Sequence, residues 1–309
     1  MRCIYINLDE AIQRREAVEQ TFRDNCPPSW KLERLPACDC AYVVQREIPG
    51  KIRPAEKACF LSHLKALERA RELNGPVLIA EDDTVFSAAT AGIVEDVVRR
   101  LPPDAWDLLF TDVDASAGGF QGLPRLFDLC ALHGVLTNRN RFKVLDLRTI
   151  PFWGLSCYVV NERSKQKVIH LLRDHYPLTT PVDLLISQKV LAQDLLACVI
   201  FPFATSLSEH HVCSQIQTSD AGVGPVARRQ TPGAVPRAIF RRGMWVGCDC
   251  NAVGRTIDAI AESYDEHSIF QSKILAAIAL EWLSGRSVRH PSMSERSLVE
   301  STDLVEQIV

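Results

Sequence analysis

The sequence has no surplus of positive charge, because its 35 lysines and arginines face 38 acidic residues, for a formal net charge of −3. Proteins that bind nucleic acid through general electrostatics carry a basic excess, so we expect no nucleic-acid partner. The longest apolar runs, at about 195–204 and 274–282, are far shorter than the roughly 20 residues needed to cross a bilayer. We therefore expect no transmembrane segment.

Two further absences concern the cellular compartment. The segment Met1 to Glu10 has neither the charged start and long apolar stretch of a secretory signal nor its small-residue cleavage site. The 11 cysteines are odd in number and scattered, unlike a disulfide framework. Several, such as Cys59, Cys157 and Cys198, stand in apolar runs, where a reduced thiol acts as a small hydrophobic group. These features predict a soluble protein of the reducing cytoplasm.

Short apolar strands alternate with amphipathic helices over the first 200 residues. Strands are predicted at 3–8, 77–80, 106–110, 154–160 and 199–202. Helices are predicted at 9–23, from 53 to a stop at Gly75-Pro76, at 91–101, at 163–173 and from an entry at 181–183. This alternation predicts an α/β fold with a mostly parallel sheet flanked by helices, in which ligands bind at the carboxyl ends of the strands.

The composition changes at residue 220, where glycine, proline and arginine become frequent. We predict one domain over 1–219, followed over 220–309 by a linker, an amphipathic helix at about 255–283 and a polar tail. The helix can pack on its own domain or form a homodimer with a second copy. The linker contains five arginines, Arg228, Arg229, Arg237, Arg241 and Arg242. They are either simply solvated, or they bind an acceptor, form part of a lid or make peripheral contact with an anionic membrane.

An acidic triplet, Glu81-Asp82-Asp83, follows directly after the apolar run Val77 to Ala80. Adjacent carboxylates raise each other's pKa unless a positive charge neutralises them. A Mg²⁺ or Mn²⁺ ion does so while leaving coordination positions for substrate phosphates, whereas the alternative is a solvated turn. The position after a buried strand favours the metal site. Asp112 follows the next strand and is expected at the same edge.

Five motifs, in this order, resemble those of glycosyltransferase family 25, which includes lipopolysaccharide-type glycosyltransferases and procollagen galactosyltransferases. They are Ile4 to Asp9 with Arg14-Arg15, Cys59 to His63, Val77 to Asp83, Trp153-Gly154 before Cys157 to Val160, and Pro181 to Asp183. The resemblance covers roughly residues 1–215. It implies a GT-A fold, a UDP-sugar donor, a Mn²⁺ or Mg²⁺ ion and inversion at the anomeric carbon, with a galactosyl or glucosyl group passing to a hydroxyl of a saccharide or glycoconjugate.

The resemblance also implies roles for the acidic residues. Asp83 is expected to bind the metal directly, Glu81 to contact the metal or the donor, and Asp82 to lie beside the donor. Asp183 is expected to act either as the general base that takes the proton of the acceptor hydroxyl or as a helix N-cap.

The remaining candidates come from the same motifs. Donor contacts are expected from Asn7, Leu8, Arg14, Arg15, Ser62, His63 and Trp153, and additional metal ligands from His210 and His211. Each has an ordinary alternative: a solvated helix face for the arginines, a packed helical position for His63 and a plain loop for the two later histidines.

Two other classes of function are alternatives to a glycosyltransferase. A metal-dependent nucleotide-processing enzyme such as a nucleotidyltransferase would need a glycine-rich phosphate loop, and none follows the first strand. A non-catalytic GT-A relative that binds sugar or protein would have little reason to keep both the triplet and Asp183. Two Cys-Asp-Cys sequences, at 38–40 and 248–250, do not have the spacing of common zinc sites.

Overall fold

The computed structural model describes residues 1–113, 143–148, 152–201 and 203–208, and the structural statements below concern these residues. The strands are β1 (Arg2–Asn7), β2 (Lys31–Pro36), β3 (Val77–Glu81), β4 (Thr84–Phe86), β5 (Leu108–Phe110), β6 (Lys143–Asp146), β7 (Cys157–Val160), β8 (Ala197–Phe201) and β9 (Thr205–Leu207). The helices are α1 (Ile12–Asn25), α2 (Cys40–Gln45), α3 (Pro54–Arg71), α4 (Thr90–Arg100), α5 (Lys165–Arg173) and α6 (Val182–Leu191).

Seven strands form one sheet in the order β2-β1-β3-β7-β5-β8-β6, and β4 pairs with β9 in a separate antiparallel ribbon. Strands β2, β1, β3, β5 and β8 run in one direction, while β7 and β6 run against them. The predicted α/β class with a mostly parallel sheet is therefore confirmed. The antiparallel β7 lies between β3 and β5, a position that the alternation of strands and helices did not predict.

One face of the sheet packs on α1 and α4. Tyr5 and Leu78 point to this face and join a buried cluster with Phe22 and Val94. Phe22 also packs edge-to-face against Phe86, with the ring centroids 5.2 Å apart. Each such side chain contributes about 1.5–3 kcal/mol when it is fully buried, so this layer fixes α1 against the sheet. The position of α1 matters because it supplies an arginine to the candidate site.

The parallel pairing of β1 with β3 determines what meets at the sheet edge. Ile6 pairs with Glu81, so Asn7, the last residue of β1, comes level with Asp82. After Glu81 the chain turns into β4, and the backbone N–H of Ser208, just past β9, donates to the carbonyl of Asp83 at 2.7 Å. The acidic triplet is thus held at the carboxyl edge of the sheet by the β1–β3 pairing at its start and by the bond from Ser208 at its end.

Several predicted bounds shift in the structure. The first helix begins at Ile12 rather than Asp9, and the strand predicted from Trp106 begins at Leu108. None of the helices in the described part of the chain is long and apolar enough to cross a membrane. The predicted boundary at 219/220, the linker and the helix at 255–283 lie outside the described residues, as does the possible homodimer contact.

Candidate active site

Asp82, the middle residue of the triplet, is buried and hydrogen-bonded through both carboxylate oxygens. The side-chain amide of Asn7 donates to Oδ2 at 2.7 Å, and Nε of Arg14 donates to Oδ1 at 2.6 Å. Burial raises the pKa of Asp82, an effect that Arg14 and Asn7 partly offset. Asp82 is therefore placed to organise the turn. A metal ion bound to Asp82 would have to compete with Asn7 and Arg14 for its carboxylate oxygens.

Arg14 also reaches Asp83, with 3.2 Å between its guanidinium nitrogen and Oδ2. Burial acts to lower the pKa of Arg14, but the charges of Asp83 and Asp82 outweigh it and the net pKa is raised. Of the two predicted arginines, Arg14 is the one that pairs with the triplet in the described contacts, while Arg15 is half-buried further along α1. One guanidinium offsets one of the three negative charges.

Asn7 is itself fixed by neighbouring groups. Its amide also donates to the carbonyl of Ala11 at 3.1 Å, and its Oδ1 accepts from Nε of Arg34 at 2.9 Å. Arg34 in turn pairs with Asp9. Sequence reasoning missed Arg34 because β2, the strand that carries it, was not predicted. Leu8 follows Asn7 and is half-buried, with its carbonyl accepting from the N–H of Ala11.

Glu81 faces a buried histidine. Nε2 of His63 lies 3.2 Å from Oε1 of Glu81, and Nδ1 lies 3.2 Å from the hydroxyl of Tyr158. Ligand atoms of Cys59, His63 and Glu81 all lie within 4.8 Å of one another. Loss of hydration raises the pKa of the Cys59 thiol, and the charges of Glu81 and Asp183 add to this rise. The sequence analysis did not predict Cys59 as a site residue, although its spacing from His63 puts both on one helix face.

Ser62 is not brought to the sheet edge with the triplet. Its hydroxyl donates to the carbonyl of Ala58 at 2.7 Å and accepts from the backbone N–H of Cys38 at 2.8 Å. These bonds tie α3 to the segment before α2, and the predicted donor contact of Ser62 stays a prediction.

Ser156 links the triplet to the next carboxylate. Its carbonyl accepts from the backbone N–H of Glu81 at 2.7 Å and from the hydroxyl of Thr84 at 2.8 Å. Its own hydroxyl donates to Oδ1 of Asp112 at 2.5 Å. Asp112 therefore lies at the same edge as the triplet, as expected, and the link comes from the residue that precedes the antiparallel β7.

Asp183 lies in the first turn of α6. Its Oδ2 accepts from the backbone N–H of Gly154 at 3.3 Å and its Oδ1 from the N–H of Leu184 at 2.8 Å. The N-cap position belongs to Pro181, so Asp183 does not occupy the alternative role of helix N-cap. Gly154 has a φ of 81°, a conformation that favours glycine, and it follows Trp153, which is 45% exposed. The structure thus brings together the Trp153-Gly154 motif and the Pro181 to Asp183 motif.

His210 and His211 lie outside the described residues, and their metal role stays a prediction. Ser208, two residues before them, bonds to the backbone of Asp83.

A family model described as glycosyltransferase family 25 (LPS biosynthesis protein) matches residues 1–186. The chain belongs to glycosyltransferase family 25. This is the family that the five motifs predicted. The match includes Asn7, Arg14, the triplet, Trp153 and Asp183, whereas His210 and His211 lie beyond it.

Solved structures resemble this family 25 chain only distantly. The apo-form glycosyltransferase GlyE of Streptococcus pneumoniae TIGR4 has 10% identity and a TM-score of 0.35, covering 63% of this chain and 44% of GlyE. An active-site mutant of LgtC has 9% identity and a TM-score of 0.37, covering 64% of this chain and 72% of LgtC. The chain thus spans less than half of the first of these. No curated protein matches the sequence.

Proposed function

We propose that this glycosyltransferase moves a hexose, galactose or glucose, from a UDP-sugar to a hydroxyl of a saccharide or glycoconjugate such as a lipopolysaccharide, with inversion and with a divalent cation. The observation that carries the proposal is the triplet at the carboxyl edge of the parallel strands, braced by Asn7 and Arg14. That edge is where open α/β sheets bind their ligands.

The residues at this edge fit a Mn²⁺ or Mg²⁺ ion. Glu81 and Asp83 offer carboxylate oxygens, the ligand type that both ions prefer. After Arg14 has offset one of the triplet's three charges, two remain for a dication. A bound cation would neutralise the charge that develops on the departing diphosphate. His210 and His211 remain proposed additional ligands. They follow Ser208 by two and three residues, so the chain places them within about 7–10 Å of Ser208, which bonds to the backbone of Asp83.

Asn7 and Arg14 act on this edge as positioning residues. Both bond to Asp82, so the turn that carries Asp83 is held in place before any ligand arrives. A preorganised charged site needs no rearrangement when negative charge builds up during the reaction.

Asp183 is the proposed general base. In a single displacement the acceptor oxygen bonds to the anomeric carbon as the bond to the β-phosphate oxygen breaks, and Asp183 takes the hydroxyl proton. The N–H groups of Gly154 and Leu184 each hold one of its oxygens, and a carboxylate with two such bonds still has acceptor capacity for the hydroxyl proton. The charges of Asp183 and Glu81 both raise the pKa of Cys59, which supports a location of Asp183 near the triplet. Trp153 offers an exposed aromatic surface beside it for a sugar ring.

The test is thermal unfolding with UDP, other nucleotides and UDP-sugars, each with and without Mn²⁺. A ligand at about 100 times its Kd adds roughly 2.7 kcal/mol to stability. We expect stabilisation by UDP and one UDP-sugar that requires Mn²⁺ and disappears in Asp83→Ala. The control Asp24→Ala removes the same charge from an exposed position on α1 and should leave the effect unchanged.

Two outcomes would contradict the proposal. Equal stabilisation in Asp83→Ala and the parent chain would exclude Asp83 as a metal ligand. The lack of a response to any uridine nucleotide would exclude a UDP-sugar donor.

A further inference from the structure

Cys59, His63 and Glu81 form a compact group of three side chains of different chemistry. Cys59 and His63 are four residues apart on α3 and therefore share one face of the helix. Glu81 ends β3, the strand beside them, and the ligand-capable atoms of all three lie within 4.8 Å of one another. The group lies on the side of Glu81 that faces α3, whereas Asp82 and Asp83 face Arg14 on α1.

The spacing suits a small tetrahedral cation. Zinc bonds of about 2.3 Å to sulfur and 2.0–2.1 Å to nitrogen or oxygen put neighbouring ligand atoms roughly 3.3–3.7 Å apart. Nε2 of His63 and Oε1 of Glu81 are 3.2 Å apart, close to that separation already. A shift of about 1 Å would bring the Cys59 sulfur within range, and a turn of about 30° in χ1, which costs about 0.5–1.5 kcal/mol, supplies it.

His63 is oriented as a metal-binding histidine usually is. Such a residue donates its other ring N–H to a fixed partner, and Nδ1 of His63 lies 3.2 Å from the hydroxyl of Tyr158. The two rings also stack, and His63 is only 1% exposed, so packing restricts rotation of the imidazole. With the proton on Nδ1, Nε2 of His63 and Oε1 of Glu81 would be two acceptors only 3.2 Å apart, an arrangement that a cation would relieve.

We propose that Cys59, His63 and Glu81 form a second cation site, for a thiophilic divalent ion of the Zn²⁺ type. Three protein ligands leave a fourth position for water. The thiolate makes the site selective for Zn²⁺ over Mn²⁺ and Mg²⁺, which prefer oxygen ligands. On binding, the Cys59 thiol releases its proton to solvent and the sulfur bonds to the metal. The bound ion holds Glu81 on the α3 side; if Glu81 also serves the donor cation as proposed above, Zn²⁺ lowers transferase activity.

The experiment titrates the full-length, reduced, metal-free chain with Co²⁺, which reports a thiolate ligand through a near-ultraviolet charge-transfer band. We expect the band to saturate at one equivalent of Co²⁺, and we expect equimolar Zn²⁺ to remove it while excess Mn²⁺ does not. The band should disappear in Cys59→Ser. It should persist in Cys40→Ser, a half-buried thiol on α2, and in the double variant Cys248→Ser/Cys250→Ser.

A second variant guards against misfolding as the cause of any loss. Glu81→Gln keeps the Cys-His pair and should weaken Co²⁺ binding at least tenfold while the band remains at high Co²⁺. The proposal is overturned if the parent chain shows no band, if the band survives Cys59→Ser, or if only the 248/250 variant loses it. Absence of the band in the parent chain would mean that Nε2–H of His63 donates a hydrogen bond to Glu81 and that no metal binds there. Cys59→Ser should keep the Mn²⁺-dependent stabilisation by UDP, so this site and the proposed function are tested separately.

Discussion

Replacing Arg14 by glutamine removes the guanidinium that pairs with two carboxylates of the triplet. The Arg14 side chain is 16% exposed and those of Asp82 and Asp83 are each 10% exposed, so the pairs are largely shielded from water. Breaking a buried pair by removing one partner costs about 3–5 kcal/mol because a charge is left without compensation, whereas an exposed pair contributes about 0–1 kcal/mol. With some solvent access remaining, we expect Arg14→Gln to lower the free energy of unfolding by about 3 kcal/mol.

The assay is urea unfolding followed by tryptophan fluorescence, with an unchanged slope required for comparison. Arg15→Gln removes the same charge one residue further along α1 and should cost only about 0.5 kcal/mol. Adding Asp82→Asn to Arg14→Gln should recover a large part of the loss, because it removes the buried charge that Arg14 compensated. If Arg14→Gln costs no more than Arg15→Gln, Arg14 is not the counter-charge of the triplet.

Two further predictions concern single carboxylates. Asp183→Asn should lower transfer, measured as UDP release, by about 100-fold or more while Mn²⁺-dependent binding of UDP is kept, and near-normal turnover would exclude Asp183 as the base. Hydrogen bonds from Arg69 lower the pKa of Glu33 below its ordinary value of 4.5, so the stability from this pair is present above that pH and is lost as the pH falls through the lower, folded-state value. The melting temperatures of the parent chain and Glu33→Gln should therefore converge in acid; a constant difference would contradict the assigned cause.

The predicted strands are those whose residues are buried on both faces. β1 and β3 read as continuous apolar runs because helices cover both sides of the sheet. β2 was missed because it lies at the sheet edge with residues that are half-buried or exposed, so Lys31 to Pro36 shows no apolar run. β7 was expected as a strand, but its antiparallel direction depends on which neighbours it pairs with, and a local pattern carries no such information.

Much of the candidate site was predictable from the order of its motifs, but its internal contacts were not. The sequence shows Arg14 and Arg15 side by side, and choosing between them requires the rotational phase of α1. That phase follows from the start of the helix at Ile12 and from the packing of Phe22. The meeting of Asp183 with Gly154 depends in the same way on tertiary structure, because 29 residues separate them along the chain.

The sequence argument favoured a metal ion over a solvated turn as the explanation for three adjacent carboxylates. The structure changes this argument, because Arg14 supplies one positive charge from within the fold. A triplet with three uncompensated charges would attract a dication so strongly that release with UDP would be slow, since the Coulomb energy grows with the charge product. With Arg14 in place the remaining charge matches that of the dication. We therefore expect Arg14 to make the proposed cation exchangeable, and Arg14→Gln to bind Mn²⁺ more tightly than the parent chain does.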